Sequence, residues 1–139
     1  MIRRLVQHLG LEAHPEGGWY TRTWTAPGAE GRADGSSILY LLPADTASRW
    51  HRIDATELWQ HAAGAPLELS TWTVGASTRR RVRLGPDLLD GDVPQAVVAP
   101  DVWQSARSTG AWSLAVCVVV PEFRFEHFEL AADGWAPPR

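Results

Sequence analysis

Short β-forming runs, cut at regular intervals by glycine and proline, recur along almost the whole chain, and that rhythm constrains the fold most. Residues 19–25, 36–42, 67–74, 78–84, 95–99, 103–107 and 112–120 each read as a strand, and 48–53 and 57–62 supply two more. Pro43 and Pro121 halt their strands, and Gly64-Ala-Pro66, Pro100-Asp101 and Ser108-Thr-Gly110 mark tight turns. Ahead of them, apolar residues at 2, 5, 6 and 9 have helical spacing, with Gly10 as a stop near the end of a helix over 2–11. Residues 85–92 read as a loop with a helical turn, and 123–130 alternate only weakly. No strand–helix–strand repeat occurs. The expectation is an all-β sandwich or barrel with a short N-terminal helix, closed as one domain over residues 1–139.

Several function classes fall away on charge and composition. The formal net charge is -3. The only basic cluster, Arg79-Arg80-Arg81 with Arg83, alternates with Val82 and Leu84 and reads as a solvated strand face. Phosphate-backbone binding needs a larger positive footprint, so no nucleic-acid partner is expected. Nothing approaches the roughly 20 apolar residues of a membrane helix, and the basic start lacks the apolar core of a leader. No membrane partner is expected, and the compartment is the cytoplasm. Cys117 is the only cysteine and lies in an apolar run, so it reads as a buried structural thiol. The 8 tryptophans are dispersed along the chain, which suits strands that each deliver an aromatic to a shared interior.

Ionisable groups concentrate between Ser48 and Gly64, where His51, Asp54, Glu57 and His61 stand beside Trp50 and Trp59. A buried ionisable group is costly unless it is paired, hydrogen-bonded or bound to a ligand. Strand parity puts Arg49, His51 and Ile53 on one face, and Ile53 turns that face inward. The same rule groups Glu57, Trp59 and His61 on the facing wall. Gln104, just after the Pro100-Asp101 turn, is a further polar candidate. It meets His51 and Glu57 only if their strands are neighbours.

These residues resemble a known pattern. Cupins carry His-x-His, then a Glu and a Gly at set distances, and His51, Ile53, Glu57 and Gly64 fall at that spacing with Ile53 in the second His slot. The second cupin motif is echoed by Ala99-Pro-Asp-Val-Trp-Gln104, with Gln104 in place of the third metal-binding His and Asp101 where Gly is usual. A smaller cupin group is closer still. It shares the His-Pro-Glu-Gly-Gly-aromatic stretch from His14, Ser48 to Arg52, Glu57-Leu58-Trp59, Leu84 to Asp87 and Trp103-Gln104. That group has His directly after Glu-x-Trp, where this chain has Gln60 and then His61. The resemblance covers nearly the whole chain. It implies a double-stranded β-helix, the cupin jelly-roll barrel, with a ligand pocket inside. It also implies a homodimer built by sheet extension and helix packing.

The expected ligand is a small polar molecule, sugar-like or anionic. The expected function is isomerase- or epimerase-type acid–base chemistry at His51 and Glu57, with Gln104 as a third catalytic candidate. Tyr20 or Tyr40 would supply a proton, while Trp59 and Trp103 would stack on the ligand and Arg49 and His61 would contact it. A non-catalytic binding cupin is one alternative. A metal-dependent cupin, holding a divalent ion on His51, Glu57 and Gln104, is another, although one histidine is a poor ligand set. Glu16 reads as a cap of its own turn, and His14 as structural.

Overall fold

The computed structural model describes residues 1–29 and 31–139. Glu30, in the loop expected between the first two strands, lies outside the described residues. A helix, α1 (Ile2–Leu9), leads into eleven strands: β1 (Glu12–Ala13), β2 (Trp19–Ala26), β3 (Gly35–Pro43), β4 (His51–Ile53), β5 (Thr56–Gly64), β6 (Leu67–Trp72), β7 (Arg80–Leu84), β8 (Gln95–Val98), β9 (Trp103–Ser108), β10 (Trp112–Val120) and β11 (Phe128–Leu130). One sheet runs β1-β2-β3-β10-β5-β8, the other β11-β4-β9-β6-β7. Every strand pairing is antiparallel. The two sheets close as a jelly roll, so the expected fold class is the one observed. No described helix is long and apolar enough to cross a membrane.

The period of two shows most clearly on β10. Ser113, Ala115, Cys117 and Val119 are buried between the sheets, while Leu114, Val116 and Val118 face out, half-buried. Tyr40, Leu42 and Trp59 from the neighbouring strands β3 and β5, and Leu69 and Ala106 from the opposite sheet, fill the interior around them. Gly10 ends α1 in the left-handed conformation (φ 68°), donating its N–H to the Gln7 carbonyl, so the helix stops at Leu9 rather than Leu11. Gly64 also has positive φ, and a Cβ there would lie 2.6 Å from the Trp112 carbonyl oxygen. Only glycine lets the β5 end pass that backbone. Asp101 takes a left-handed φ of 66° at the slot where cupins favour glycine, a conformation aspartate tolerates better than most residues.

Two expectations fail locally. The strand expected from Ser48 begins only at His51. Before it, the Ser48 hydroxyl accepts the Ala106 N–H at 2.8 Å, and the Ser105 hydroxyl donates to the Ser48 carbonyl at 2.6 Å. The Ser48 N–H still bonds the Ala106 carbonyl at 2.8 Å, so side chains supplement an interrupted ladder over that stretch. Parity does not carry back to Arg49, which is exposed and paired with Asp133 at 2.9 Å. On β5 the pairing with β10 jumps from Ala63–Leu114 to His61–Ala115, which leaves Ala62 as an extra residue. The bulge follows His61, which stays opposite Ala115 in register with Glu57 and Trp59 but sits at the strand end outside the cavity lining, where its Nε2 meets the Gly64 and Ala65 carbonyls at 3.0 and 3.1 Å.

Candidate active site

The His-Pro-Glu-Gly-Gly stretch does more than turn the chain. His14 N–H bonds the Gly18 carbonyl and Gly17 N–H bonds the His14 carbonyl, both at 3.0 Å, which closes a tight loop. Gly18 has φ 79°, and a Cβ on it would sit 2.8 Å from the Leu41 carbonyl oxygen. The loop can therefore press against β3 and drive Glu16 into the barrel, where its side chain is only 6% exposed. The Glu16 carbonyl takes the Arg49 N–H at 2.7 Å, and the Tyr40 hydroxyl donates to the Gly17 carbonyl at 2.5 Å. These bonds hold the loop from both sides.

Glu16 meets His51 there. Its Oε2 lies 2.9 Å from His51 Nδ1, and the same nitrogen lies 2.8 Å from the Arg49 carbonyl oxygen. Both partners only accept hydrogen bonds, so Nδ1 must carry a proton. Burial works to lower the His51 pKa. The charge and hydrogen bond of Glu16, the charge of Glu57 and the Arg49 carbonyl together outweigh it and lift the imidazole to about 9. Glu16 is the mirror case: burial pushes its pKa up, His51 pulls it down by charge and hydrogen bond, and the net direction is down. At neutral pH the two form a buried imidazolium–carboxylate pair. His51 Nε2 is left as the ring edge it offers to the cavity.

His14 takes the opposite protonation state. Its Nδ1 accepts the Glu16 N–H at 3.1 Å, and its pKa falls because burial and His51 outweigh the pull of Glu16. It is a neutral imidazole packed edge-on against Tyr20, with centroids 4.7 Å apart.

On the facing wall Glu57 is held by a chain of two hydrogen bonds. The Trp59 indole N–H donates to Gln104 Oε1 at 2.8 Å, and Gln104 Nε2 donates to Glu57 Oε1 at 2.8 Å. An indole can only donate, so it fixes the amide orientation and leaves the NH₂ for the carboxylate. Burial raises the Glu57 pKa most, and Glu16 adds to it. His51, Gln104 and the Cys117 thiol pull the other way, and the balance stands at about 7. The second oxygen of Glu57, free of Gln104, is the natural seat of its proton.

His51, Glu57, Trp59, Tyr20 and Tyr40 line one cavity of about 130 Å³, together with His14 and Glu16. Ile38, Ile53, Val119 and Phe123 make much of the rest apolar. Gln104 is fully buried behind this wall and acts through Glu57 rather than on a ligand. The other sequence candidates lie elsewhere. Arg49 and His61 are occupied as described, and Trp103 points outward, stacked on Trp135 at 4.8 Å and beneath the Arg52 guanidinium at 4.8 Å. Glu16, expected to cap a turn, is the residue the sequence reading misplaced. Its signal was a carboxylate fixed between Pro15 and two glycines that tolerate a plunging backbone.

A divalent metal fits this donor set poorly. His51 keeps Nε2 open to an ion, but Ile53 fills a second ligand slot and the Gln104 oxygen is taken by an indole. Among the described residues no three His, Cys, Asp or Glu side chains group as ligands.

The family model described as cupin superfamily (DUF985) matches residues 3–131. A solved protein from Shewanella oneidensis is 32% identical, with a TM-score of 0.87 over 93% of this chain and 83% of that one. A hypothetical protein from Leishmania major is 24% identical, with a TM-score of 0.85 over 94% of this chain and 86% of that one. A dTDP sugar isomerase from Desulfovibrio desulfuricans G20 is 15% identical, with a TM-score of 0.62 over 83% of this chain and 85% of its own, which shows a common fold. No curated protein matches the sequence.

Proposed function

The chain belongs to the cupin superfamily, in the group described as DUF985, and from that premise we propose that its barrel binds a small polar molecule and acts on it as a metal-free acid–base enzyme of isomerase or epimerase type. One observation carries the reading. A carboxyl group titrating at about 7 and an imidazolium titrating at about 9 open on the same small cavity. A general acid–base works best when its pKa is near the working pH, and Glu57 meets that condition. His51 supplies a fixed positive donor where negative charge would develop.

The step that suits this pair is proton abstraction next to a carbonyl. Glu57 removes the proton, the C–H electron pair moves onto the carbonyl oxygen, and His51 Nε2–H donates a hydrogen bond to that oxygen. Return of the proton from Glu57 to the neighbouring carbon, with the α-hydroxyl proton passing to the former carbonyl oxygen, gives an isomer. An epimer requires the proton to reach the opposite face of the same carbon, which Tyr20 or Tyr40 would supply while Glu57 keeps the proton it took. No electrons are gained or lost overall. An engineered cavity of about 150 Å³ holds a benzene, so the enclosed part of the substrate is of similar size. Larger groups would extend through the mouth beside Arg22 and Phe125.

The test is hydrogen exchange. The protein is incubated with a panel of small aldoses and ketoses in D₂O, and loss of the α-proton signal is followed by NMR. Exchange of at least one compound is the expected result. Saturable binding with no exchange would replace the enzyme reading with that of a binding cupin. One feature favours that alternative: no buried side-chain nitrogen or oxygen among the described residues lacks a partner. A satisfied polar cluster can be structural.

The same reading includes a homodimer in the cytoplasm. The outer face of the first sheet is apolar, with Val97 and Val120 exposed beside half-buried Leu58, Val116 and Val118. Helix α1 buries none of its residues in the single chain. A second copy would cover both surfaces. Sedimentation velocity at micromolar concentration should give a dimer, and a monomer would rule it out. A lone buried thiol, which needs no disulfide, is the support for the cytoplasm.

A further inference from the structure

The outer face of the second sheet carries a basic concavity that the barrel chemistry does not use. There Arg81 on β7 stands opposite Ser70 on β6, and Ser70 stands opposite Ser105 on β9. Parity turns these three outward, while Leu69, Val82 and Ala106 face the core. In the next row Arg83, Glu68 and Arg107 are aligned, and both of those arginines are neutralised. Arg83 meets Asp92 at 2.9 Å, and Arg107 forks onto Glu68 with both distances 3.2 Å.

Arg79 and Arg81 differ from them. Neither joins an ion pair among the described residues, and Arg81 makes no side-chain hydrogen bond there either. Arg79 is held in place by neutral groups. Its guanidinium lies over the Trp50 ring, 5.0 Å from the centroid, and donates to the Pro137 carbonyl at 2.6 Å and the Pro138 carbonyl at 3.3 Å. The tail that supplies those carbonyls is itself pinned, because Trp135 packs on Trp103 and Trp72. Burial and the neighbouring charges of Arg139 and Arg81 lower the Arg79 pKa, as cations gathered close together do. Trp50, Glu68, Ser70, Arg79, Arg81 and Arg139 border a space of about 260 Å³, with Glu68 held by the Arg107 fork.

We propose that this concavity binds the phosphate group of a small molecule, gripped between Arg79 and Arg81 over the Ser70 hydroxyl. Guanidinium groups match a tetrahedral oxyanion because each presents two parallel N–H donors. Arg81 offers its whole fork, Arg79 offers the Nη1 edge that its bonds to the tail carbonyls leave free, and with one hydroxyl they can serve several phosphate oxygens at once. Arg79 is already ordered by Trp50 and the tail carbonyls, so less freedom is lost when the anion arrives. Like charges brought together on a strand face repel, and an anion between them removes that cost.

The test uses inorganic phosphate and pyrophosphate as probes, with side-chain N–H signals of arginine and tryptophan followed by NMR. Saturable shifts are expected at Arg79 and Arg81 Nε–H and at Trp50 Nε1–H, with pyrophosphate tighter than phosphate. Arg81 is exposed and unbonded, so Arg81→Gln should fold normally and weaken binding about tenfold, the equivalent of one charge-assisted contact. Arg3→Gln, on α1, should leave it unchanged. Shifts that never saturate, that spread over all exposed arginines, or that persist undiminished in Arg81→Gln would overturn the proposal.

Discussion

Replacing Glu16 with Gln should destabilise the protein by about 3–5 kcal/mol near pH 6, the usual cost of stranding one charge of a buried pair. His51 would be left 3% exposed with its imidazolium facing an amide. It would respond by losing its proton, so its pKa should fall from about 9 toward or below 6.5. The wild type carries the complementary signature in pH. The folded His51 pKa lies above its unfolded value, so its stabilisation is complete below about pH 6.5 and is lost as pH rises through 9. The difference, 9 less 6.5, is 2.5 units, or about 3 kcal/mol. Glu57 acts in the same sense over a lower window, because its folded pKa of about 7 exceeds the 4.5 of a free glutamate. Folding therefore takes up protons at these two groups; His14, with its lowered pKa, acts in the opposite sense up to about pH 6.5, so the decline in stability should be clearest from about pH 7 to 9. Glu16 limits the acid side, since its lowered pKa contributes stability that disappears as pH falls below 4.5. Urea unfolding at intervals across this range reads both effects. A wild type as stable at pH 9 as at pH 6, or a Glu16→Gln protein as stable as wild type at pH 6, would show that the pair does not hold the barrel.

The contrast between His51 and Glu16 shows which parts of this molecule can be read from its sequence. His51 and Glu57 lie on strands, where a period of two joins each to apolar neighbours, Ile53 and Trp59, that declare the inward face. Parity then places the polar residue without any structure. Parity has no hold on Glu16, because a loop has no period. Its direction comes from backbone bonds to Arg49 and Tyr40, partners distant in sequence. The same limit explains Arg49, which precedes the strand in a segment tied partly by serine hydroxyls, whereas His61 keeps the parity of Glu57 and Trp59 but lies at the strand end, where the Gly64 and Ala65 carbonyls take its ring. Trp103 fails for another reason. On β9 both Trp103 and Gln104 are buried, one under the tail and one in the core, so burial no longer distinguishes inside from outside. The cupin spacing points to Gln104 as a candidate ligand, but its bonds to the Trp59 indole and to Glu57 make it a support for Glu57.

That support sharpens what Glu57→Gln should do. If Glu57 moves the proton, the variant should lose about 10²–10⁴ in turnover, the usual contribution of a positioned acid–base group. Affinity for the same ligand should change by less than about threefold, because glutamine keeps the shape and can still accept from Gln104 through its oxygen. The pH profile is the sharper reading. Wild-type activity should rise through about pH 7 as Glu57 ionises and fall through about 9 as His51 loses the proton that meets the substrate oxygen. In Glu57→Gln the lower limb should vanish, and any residual rate should retain only the fall near 9. Trp59→Phe provides a control on the support: without the indole, Gln104 is free to flip its amide toward Glu57, and the lower limb should shift while the upper one stays. A lower limb that survives unchanged in Glu57→Gln would mean that another group carries the proton, and His14, a neutral imidazole in the same cavity, would then be the base to test.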